Sequence, residues 1–131
     1  MLGNKKSDQK PAAINTMIGA KTEAIGNISF QGGMRIDGKV HGNVTAADDK
    51  AILILSGSAT VEGTVDAPTV IVSGSINGNL IARKRVELHA DAHVEGDVHY
   101  SSLAMDPGAV VNGNLYHEQD YPNKAGTVKN A

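Results

Sequence analysis

The sequence predicts an all-β protein whose chain winds as a single-stranded β-helix of about five or six coils. Three observations support this prediction: a short motif recurs five times about 17 residues apart, glycine is abundant with 15 copies, and the 131 residues include only three tyrosines, one phenylalanine and no tryptophan. A repeat of this length cannot bury an apolar face alone, so successive repeats must stack on one another.

The repeated motif consists of an apolar residue, a polar residue, a glycine, a second polar residue and a second apolar residue. "VEGTV" is one copy, and the others are "VHGNV", "INGNL", "VEGDV" and "VNGNL"; the five glycines are Gly42, Gly63, Gly78, Gly96 and Gly113. A glycine between two inward-facing positions marks a bend or a close approach of neighbouring backbone. Each motif is therefore expected to hold a short strand, a glycine corner and the start of the next strand.

A further aliphatic cluster precedes four of the motifs, so each repeat is expected to contribute three short strands. These clusters are "ILIL", "VIV", "VEL" and "LAM". The first two are typical of strands buried on both faces, whereas the other two alternate. The interval is uneven because "AADDK" (Ala46–Lys50) is an insertion and the corner between Val72 and Ile76 is short. At a coil spacing of about 4.8 Å, such a rod is roughly 25 Å long.

Both ends of such a rod present unpaired backbone and an apolar cross-section, which normally require a cap. The sequence contains no amphipathic capping helix, so we expect the rods to associate end to end, forming filaments if both ends are used. The expected contacts at the two ends are Ile25, Ile28, Phe30, Met105, Val111 and Leu115.

Charge divides the chain into a basic start and an acidic body. Residues 1–21 hold four lysines and one aspartate, a net +3, whereas residues 22–116 hold six basic and eleven acidic side chains, a net −5. The acidic body argues against nucleic-acid binding. The only basic run in the body, Arg83–Arg85, is typical of a solvated corner, and its alternative is a patch for anionic lipid or an acidic partner.

No residue pattern points to catalysis, a metal or a cofactor. There is no cysteine, and no phosphate-binding "GxxxxGK[ST]" loop for a nucleotide. His89, His93 and His99 lack an obvious acid or base partner in the sequence, and His89, Asp91 and His93 lack a fourth metal ligand. Two alternatives remain, a hexapeptide-repeat acyltransferase and a monomeric carbohydrate- or surface-binding module, although Val72 to Ile76 breaks the six-residue step.

The run from Leu55 to Leu115, together with "GGMRIDGKVHGNV" before it, strongly resembles the bactofilins, and the similarity covers about residues 18–116. The resemblance implies a right-handed β-helical core at residues 20–116 between flexible tails at 1–19 and 117–131. It also implies a bacterial cytoskeletal scaffold that polymerises without nucleotide and positions cell-envelope proteins such as peptidoglycan-modifying enzymes.

The chain start "MLGNKK" is similar in kind to the membrane-targeting start of that family. Met1 and Leu2 are apolar, and Lys5 and Lys6 follow. Such a start binds anionic lipid weakly, at about 1 kcal/mol per basic residue. No segment approaches the roughly 18 apolar residues of a spanning helix. The expected location is therefore the cytoplasm, peripherally associated with anionic lipid on the inner face of the cytoplasmic membrane.

Overall fold

The computed structural model describes residues 14–118, in which every regular element is a β-strand and every strand pairing is parallel. The strands are β1 (Ile14–Ile18), β2 (Glu23–Ile25), β3 (Ile28–Phe30), β4 (Gly33–Ile36), β5 (Lys39–His41), β6 (Val44–Ala46), β7 (Ile52–Leu55), β8 (Thr60–Glu62), β9 (Val65–Val72), β10 (Ser75–Asn77), β11 (Leu80–Leu88), β12 (His93–Glu95), β13 (Val98–Met105), β14 (Val110–Asn112) and β15 (Leu115–His117). The predicted all-β solenoid is confirmed.

The strands form six coils, and each coil crosses three faces of the rod in the same order. Face 1 contains β1, β4, β7 and the second halves of β9, β11 and β13. Face 2 contains β2, β5, β8, β10, β12 and β14. Face 3 contains β3, β6, the first halves of β9, β11 and β13, and β15. The long strands turn from face 3 to face 1 at an irregularity, which in β11 lies between Ala82 and Arg85.

The bore is filled by columns of aliphatic side chains stacked coil on coil. The two apolar positions of the motif form two columns, in which equivalent residues of successive coils are paired. Inward-facing residues of face 1 form a third column. The three columns are Ala24–Val40–Val61–Ile76–Val94–Val111, Ile28–Val44–Val65–Leu80–Val98–Leu115 and Ile18–Ile36–Leu55–Val72–Leu88–Met105. All their members in coils 2 to 5 are fully buried. A repeat of one small cross-section explains why the chain uses so few aromatic side chains.

The solenoid begins earlier than the sequence indicated. Strand β1 covers Ile14–Ile18, inside the stretch assigned to the N-terminal tail. Asn15 and Thr16 interrupt the apolar alternation there, and the pairing of β1 with β4 is irregular between Ile14 and Thr16, so the strand carries no clear pattern. At the other end β15 runs to His117, while residues 1–13 and 119–131, which hold most of both expected tails, lie outside the described part of the chain.

Strands "ILIL" and "VIV" are not buried on both faces, contrary to the sequence interpretation. Leu53 and Leu55 are fully buried, but the alternate residues Ile52, Ile54 and Ile71 point outward and are only half-buried. The reason is that no second layer of residues 14–118 covers face 1 in one copy. Aliphatic residues therefore lie on the outer surface of the middle coils.

Candidate assembly interfaces at the ends of the rod

Both ends of the rod are open β-edges within the described residues. At one end β1, β2 and β3 each pair with a strand on one side only. At the other end β14, β15 and the second half of β13 do the same. Each end thus presents a row of unpaired backbone N–H and C=O groups on three faces, which is a template for pairing with another chain.

The apolar columns reach the surface at these edges. Leu80 is 0% exposed, whereas Leu115, two coils further along the same column, is 44% exposed. Likewise Leu88 is 0% exposed and Met105, its neighbour in the next coil, is 42% exposed. At the opposite end the three columns finish at Ile18, Ala24 and Ile28, which are partly buried. Each end is therefore an apolar patch framed by unpaired backbone.

The exposed large apolar side chains of the described region all belong to the first or the last coil. They are Ile14, Met17, Ile25, Met105, Val110, Leu115 and Tyr116. The four coils between them contribute none. Because scattered exposed aliphatics are ordinary but a segregated set marks an interaction surface, this distribution points to the two ends.

The structure brings four of the six expected end contacts to the exposed column ends, while the other two also lie in the first coil but do not form part of them. Ile28 lies at one end, and Met105, Val111 and Leu115 lie together at the other. Ile25 points sideways from face 2 and is 83% exposed, whereas Phe30 is only 6% exposed within one copy.

Sequence reasoning missed Ile18 and Ala24, which end the other two columns. The signal was present, because "AIGNI" (Ala24–Ile28) is a sixth copy of the motif, in register with "VHGNV". In that copy Ile25 occupies the outward polar position, opposite His41.

The motif glycines stack into one column through which neighbouring coils approach closely. Gly78 has a φ of +149°, and a Cβ at this position would lie 2.2 Å from the carbonyl oxygen of Gly63 in the preceding coil. Gly42, Gly63, Gly96 and Gly113 meet the preceding glycine carbonyl in the same way, at 2.0–2.2 Å. A side chain at this position would push two coils apart, and Gly78 also has a backbone conformation that favours glycine.

The polar residue after four of the motif glycines connects one coil to the next. The side-chain oxygen of Asn43 accepts a hydrogen bond from the backbone N–H of Thr64 at 2.9 Å. The same contact joins Asn27 to Asn43 at 2.9 Å, Asn79 to Asp97 at 3.1 Å and Asp97 to Asn114 at 2.9 Å. These side chains satisfy backbone donors at the corner that strand pairing leaves free.

The histidines have acidic partners that the sequence did not reveal. His93 contacts Glu95, His89 lies 3.3 Å from Glu87, and His99 lies 3.5 Å from Glu118. In each of the first two pairs, the histidine and the glutamate are two positions apart in the same coil. In the third pair they lie in neighbouring coils. They occupy separate, partly exposed positions, and residues 14–118 contain no group of three or more His, Cys, Asp or Glu placed to hold a metal ion.

His41 links three coils across face 2. Its Nδ1 lies 2.8 Å from Glu62 and its Nε2 lies 2.5 Å from Glu23. The hydrogen bond with Glu62, followed by that with Glu23, raises the pKa of His41 above its ordinary value. When it is protonated, the imidazole joins the first, second and third coils by two charge-assisted hydrogen bonds.

The basic run at the corner of faces 3 and 1 is largely neutralised within the chain. Arg83 lies 3.3 Å from Asp66, and Arg85 lies 3.0 Å from Glu87 and donates to Ser102. This pairing favours the solvated corner over the lipid- or partner-binding patch. The membrane-targeting residues Met1, Leu2, Lys5 and Lys6 lie outside the described residues, and none of the described residues forms a helix that could cross a membrane.

Comparison with known proteins matches most of the chain to one family. The model of the family Bactofilin, described as polymer-forming cytoskeletal, matches residues 16–116. The chain is 33% identical over 101 residues to bactofilin BacO of Myxococcus xanthus (strain DK1622), covering 77% of this chain and 78% of the relative. It is 28% identical over 101 residues to bactofilin BacP of the same organism, covering 77% of this chain and 41% of the relative. No solved structure matches the chain.

Proposed function

This chain belongs to the bactofilin family of polymer-forming cytoskeletal proteins, and from that premise we propose that its rods join end to end into filaments without nucleotide. The observation that carries the proposal is the segregation of exposed large apolar side chains into the first and last coils, beside open β-edges. End-to-end contact covers both the unpaired backbone and the column ends, which one copy leaves in water.

We further propose that the filaments lie on the inner face of the cytoplasmic membrane and position cell-envelope proteins, including peptidoglycan-modifying enzymes. The lipid contact comes from Met1, Leu2, Lys5 and Lys6, and it is weak in one copy at about 1 kcal/mol per basic residue. A filament holds many copies of this start on one body, so avidity makes the combined binding strong. Membrane binding therefore depends on polymerisation.

The end-to-end contact is tested by placing an arginine at each open column end. Leu115→Arg and Ile28→Arg each bury a charge in the proposed contact, so we expect both to abolish high-speed sedimentation and filaments in electron micrographs. Thr45→Arg, an exposed outward position in the second coil, is the matched control and keeps both. Circular dichroism checks that the variants fold. Filaments retained by both end variants contradict the proposal.

The membrane contact is tested by flotation with liposomes that contain anionic lipid. We expect the full chain to float, and a chain lacking residues 1–6 to remain at the bottom while still forming filaments. Leu115→Arg, which keeps the lysines but not the polymer, is expected to float weakly. Equal flotation with and without residues 1–6 rejects the role of the chain start.

A further inference from the structure

Face 1 has an apolar centre on its outer surface. In the third and fourth coils its outward residues are Ile52 and Ile54 on β7 and Thr69 and Ile71 on β9, paired in register as Ile52 with Thr69 and Ile54 with Ile71. All four are partly exposed and uncharged. Among outward strand positions of the second to fifth coils, the only other large aliphatic residue is Ile81 on face 3. The side faces are thus unequal, and face 1 alone has a continuous apolar area.

Opposite charges flank this apolar centre at equal distances. The outward column of face 1 runs Arg35, Ile54, Ile71, Glu87 from the second to the fifth coil. Arg35 lies one coil before Ile54, and Glu87 lies one coil after Ile71. Beyond them, Met17 in the first coil corresponds to Ala104 in the sixth. The midpoint of this column lies between the third and fourth coils. Reversing the column about that midpoint exchanges Arg35 with Glu87 and Ile54 with Ile71, so each charge meets the opposite charge and each apolar residue meets an apolar residue.

From this pattern we propose that face 1 packs against face 1 of a second copy in an antiparallel, two-fold symmetric contact. A two-fold axis in the contact plane and perpendicular to the rod places this column against itself in reverse order. Ile54 then faces Ile71 of the partner copy, and Arg35 faces Glu87 of the partner copy. The two chains form the ion pair twice, once on each side of the apolar centre, as an isologous interface requires.

Within one copy, both charged residues already have partners on the same face and remain accessible. Arg35 lies 2.9 Å from Asp37 with 47% of its side chain exposed, and Glu87 lies 3.0 Å from Arg85 with 31% exposed. The hydrogen bond from Arg85, then that from His89, lowers the pKa of Glu87, so its carboxylate is charged at neutral pH. Each side chain has the exposed area to contact an opposite charge across the interface while keeping its present partner.

The size of the face indicates when this contact forms. Six coils at about 4.8 Å and a strand of four residues give an area of about 400 Å² per copy. Stable protein–protein interfaces bury about 800 Å² per partner, so two isolated rods do not stay paired. Filaments present the face repeatedly along their length, and the weak contacts then add through avidity. The proposal thus rests on the end-to-end filaments proposed above and adds lateral pairing to them.

Charge reversal of the full chain tests the contact and its direction. Arg35→Glu places two glutamates opposite each other, and Glu87→Arg places two arginines opposite each other, so we expect each to leave single filaments. The double variant Arg35→Glu/Glu87→Arg restores opposite charges and is expected to restore paired filaments. Lys39→Glu, an exposed charge of the second coil on face 2, is the matched control and keeps pairing.

The readouts are filament width in electron micrographs, low-speed sedimentation for paired or bundled filaments and high-speed sedimentation for all filaments. We expect the low-speed fraction to fall at least fivefold in each single variant, with an unchanged high-speed fraction and an unchanged melting temperature. Ile54→Lys, which places a charge in the apolar centre, is expected to have the same effect. The assay uses purified protein. Pairing of filaments that contain only this chain then shows that the partner on face 1 is a second copy.

Four results overturn the proposal. Unpaired filaments of the unaltered protein at all concentrations reject the lateral contact while leaving end-to-end assembly intact. If the single variants lose pairing and the double variant does not regain it, the antiparallel arrangement is rejected. The reason is that Arg35 meets Glu87 in an antiparallel contact but not in a parallel one. Equal loss in Lys39→Glu rejects face 1 as the specific surface. Absence of any high-speed pellet from the unaltered protein contradicts end-to-end assembly first, and with it the pairing that depends on it.

Discussion

The middle and terminal coils are built from the same residue types, yet they differ in what surrounds them. Leu80 and Leu115 occupy the same column, and only Leu115 has a large exposed fraction. The difference does not come from the coil itself, because each leucine is the last residue of a copy of the same five-residue motif. It comes from the presence or absence of a following coil. In this architecture burial is a property of stacking, and each end of the rod formed by residues 14–118 is a coil that lacks one neighbour.

The largest contrast is expected from removing side-chain atoms at the two leucines. Leu80→Ala leaves a cavity in a filled bore, so we expect the free energy of unfolding to fall by about 2–5 kcal/mol. Leu115→Ala removes methyl groups that already contact water, and we expect a loss of about 1 kcal/mol or less. Urea denaturation of both variants under conditions that keep the protein unpolymerised measures the difference. Equal losses would show that the last coil is already covered within one copy.

A smaller contrast is expected along the glycine column. Gly78→Ala brings a Cβ against the carbonyl of Gly63 in a conformation that favours glycine, so we expect a loss of about 1–3 kcal/mol. Gly113→Ala makes a similar contact in the last coil, which can move outward, and its cost is expected to be smaller. Gly57→Ala, where a Cβ meets nothing within 4 Å, serves as the control. Thermal unfolding without loss of stability in Gly78→Ala would refute the role of close approach.

The smallest contrast concerns pH and the histidine that joins the first three coils. Because the pKa of His41 is raised above its ordinary value of 6.5, its contribution to stability is fully present below about pH 6.5. That contribution is lost as the pH rises through the higher pKa of the folded protein. We expect the melting temperature to fall slightly between pH 6 and pH 8, and His41→Gln to reduce this fall. An identical pH profile in His41→Gln would remove His41 from the explanation.

Much of the fold follows from the sequence because the repeat defines the cross-section. The two motif columns predict which side chains fill the bore, and the apolar spacing predicts that the corner between Val72 and Ile76 is shorter than the others. The first coil was harder to predict, since Asn15 and Thr16 in β1 obscure its alternation and Ile25 occupies a position that is polar in the other five copies.

The end residues could be predicted only in part, because a column position does not reveal exposure. The sequence places Phe30 among the end contacts, yet its side chain is covered within one copy. The acidic partners of the histidines also require the structure. Glu23, His41 and Glu62 are 18 and 21 residues apart and meet only because coils of unequal length stack in register. The length of each corner, rather than local sequence, brings these side chains together.

The regular pairing of the coils has a consequence for how the chain folds. Paired residues are only 15 to 21 positions apart along the whole rod. Each added coil therefore closes a loop of nearly constant length and has nearly the same entropic cost. Once two neighbouring coils have formed, the next can add to the existing edge as the ribosome releases it. An open edge that accepts the chain's own next coil during synthesis is the same kind of edge that the last described coil presents.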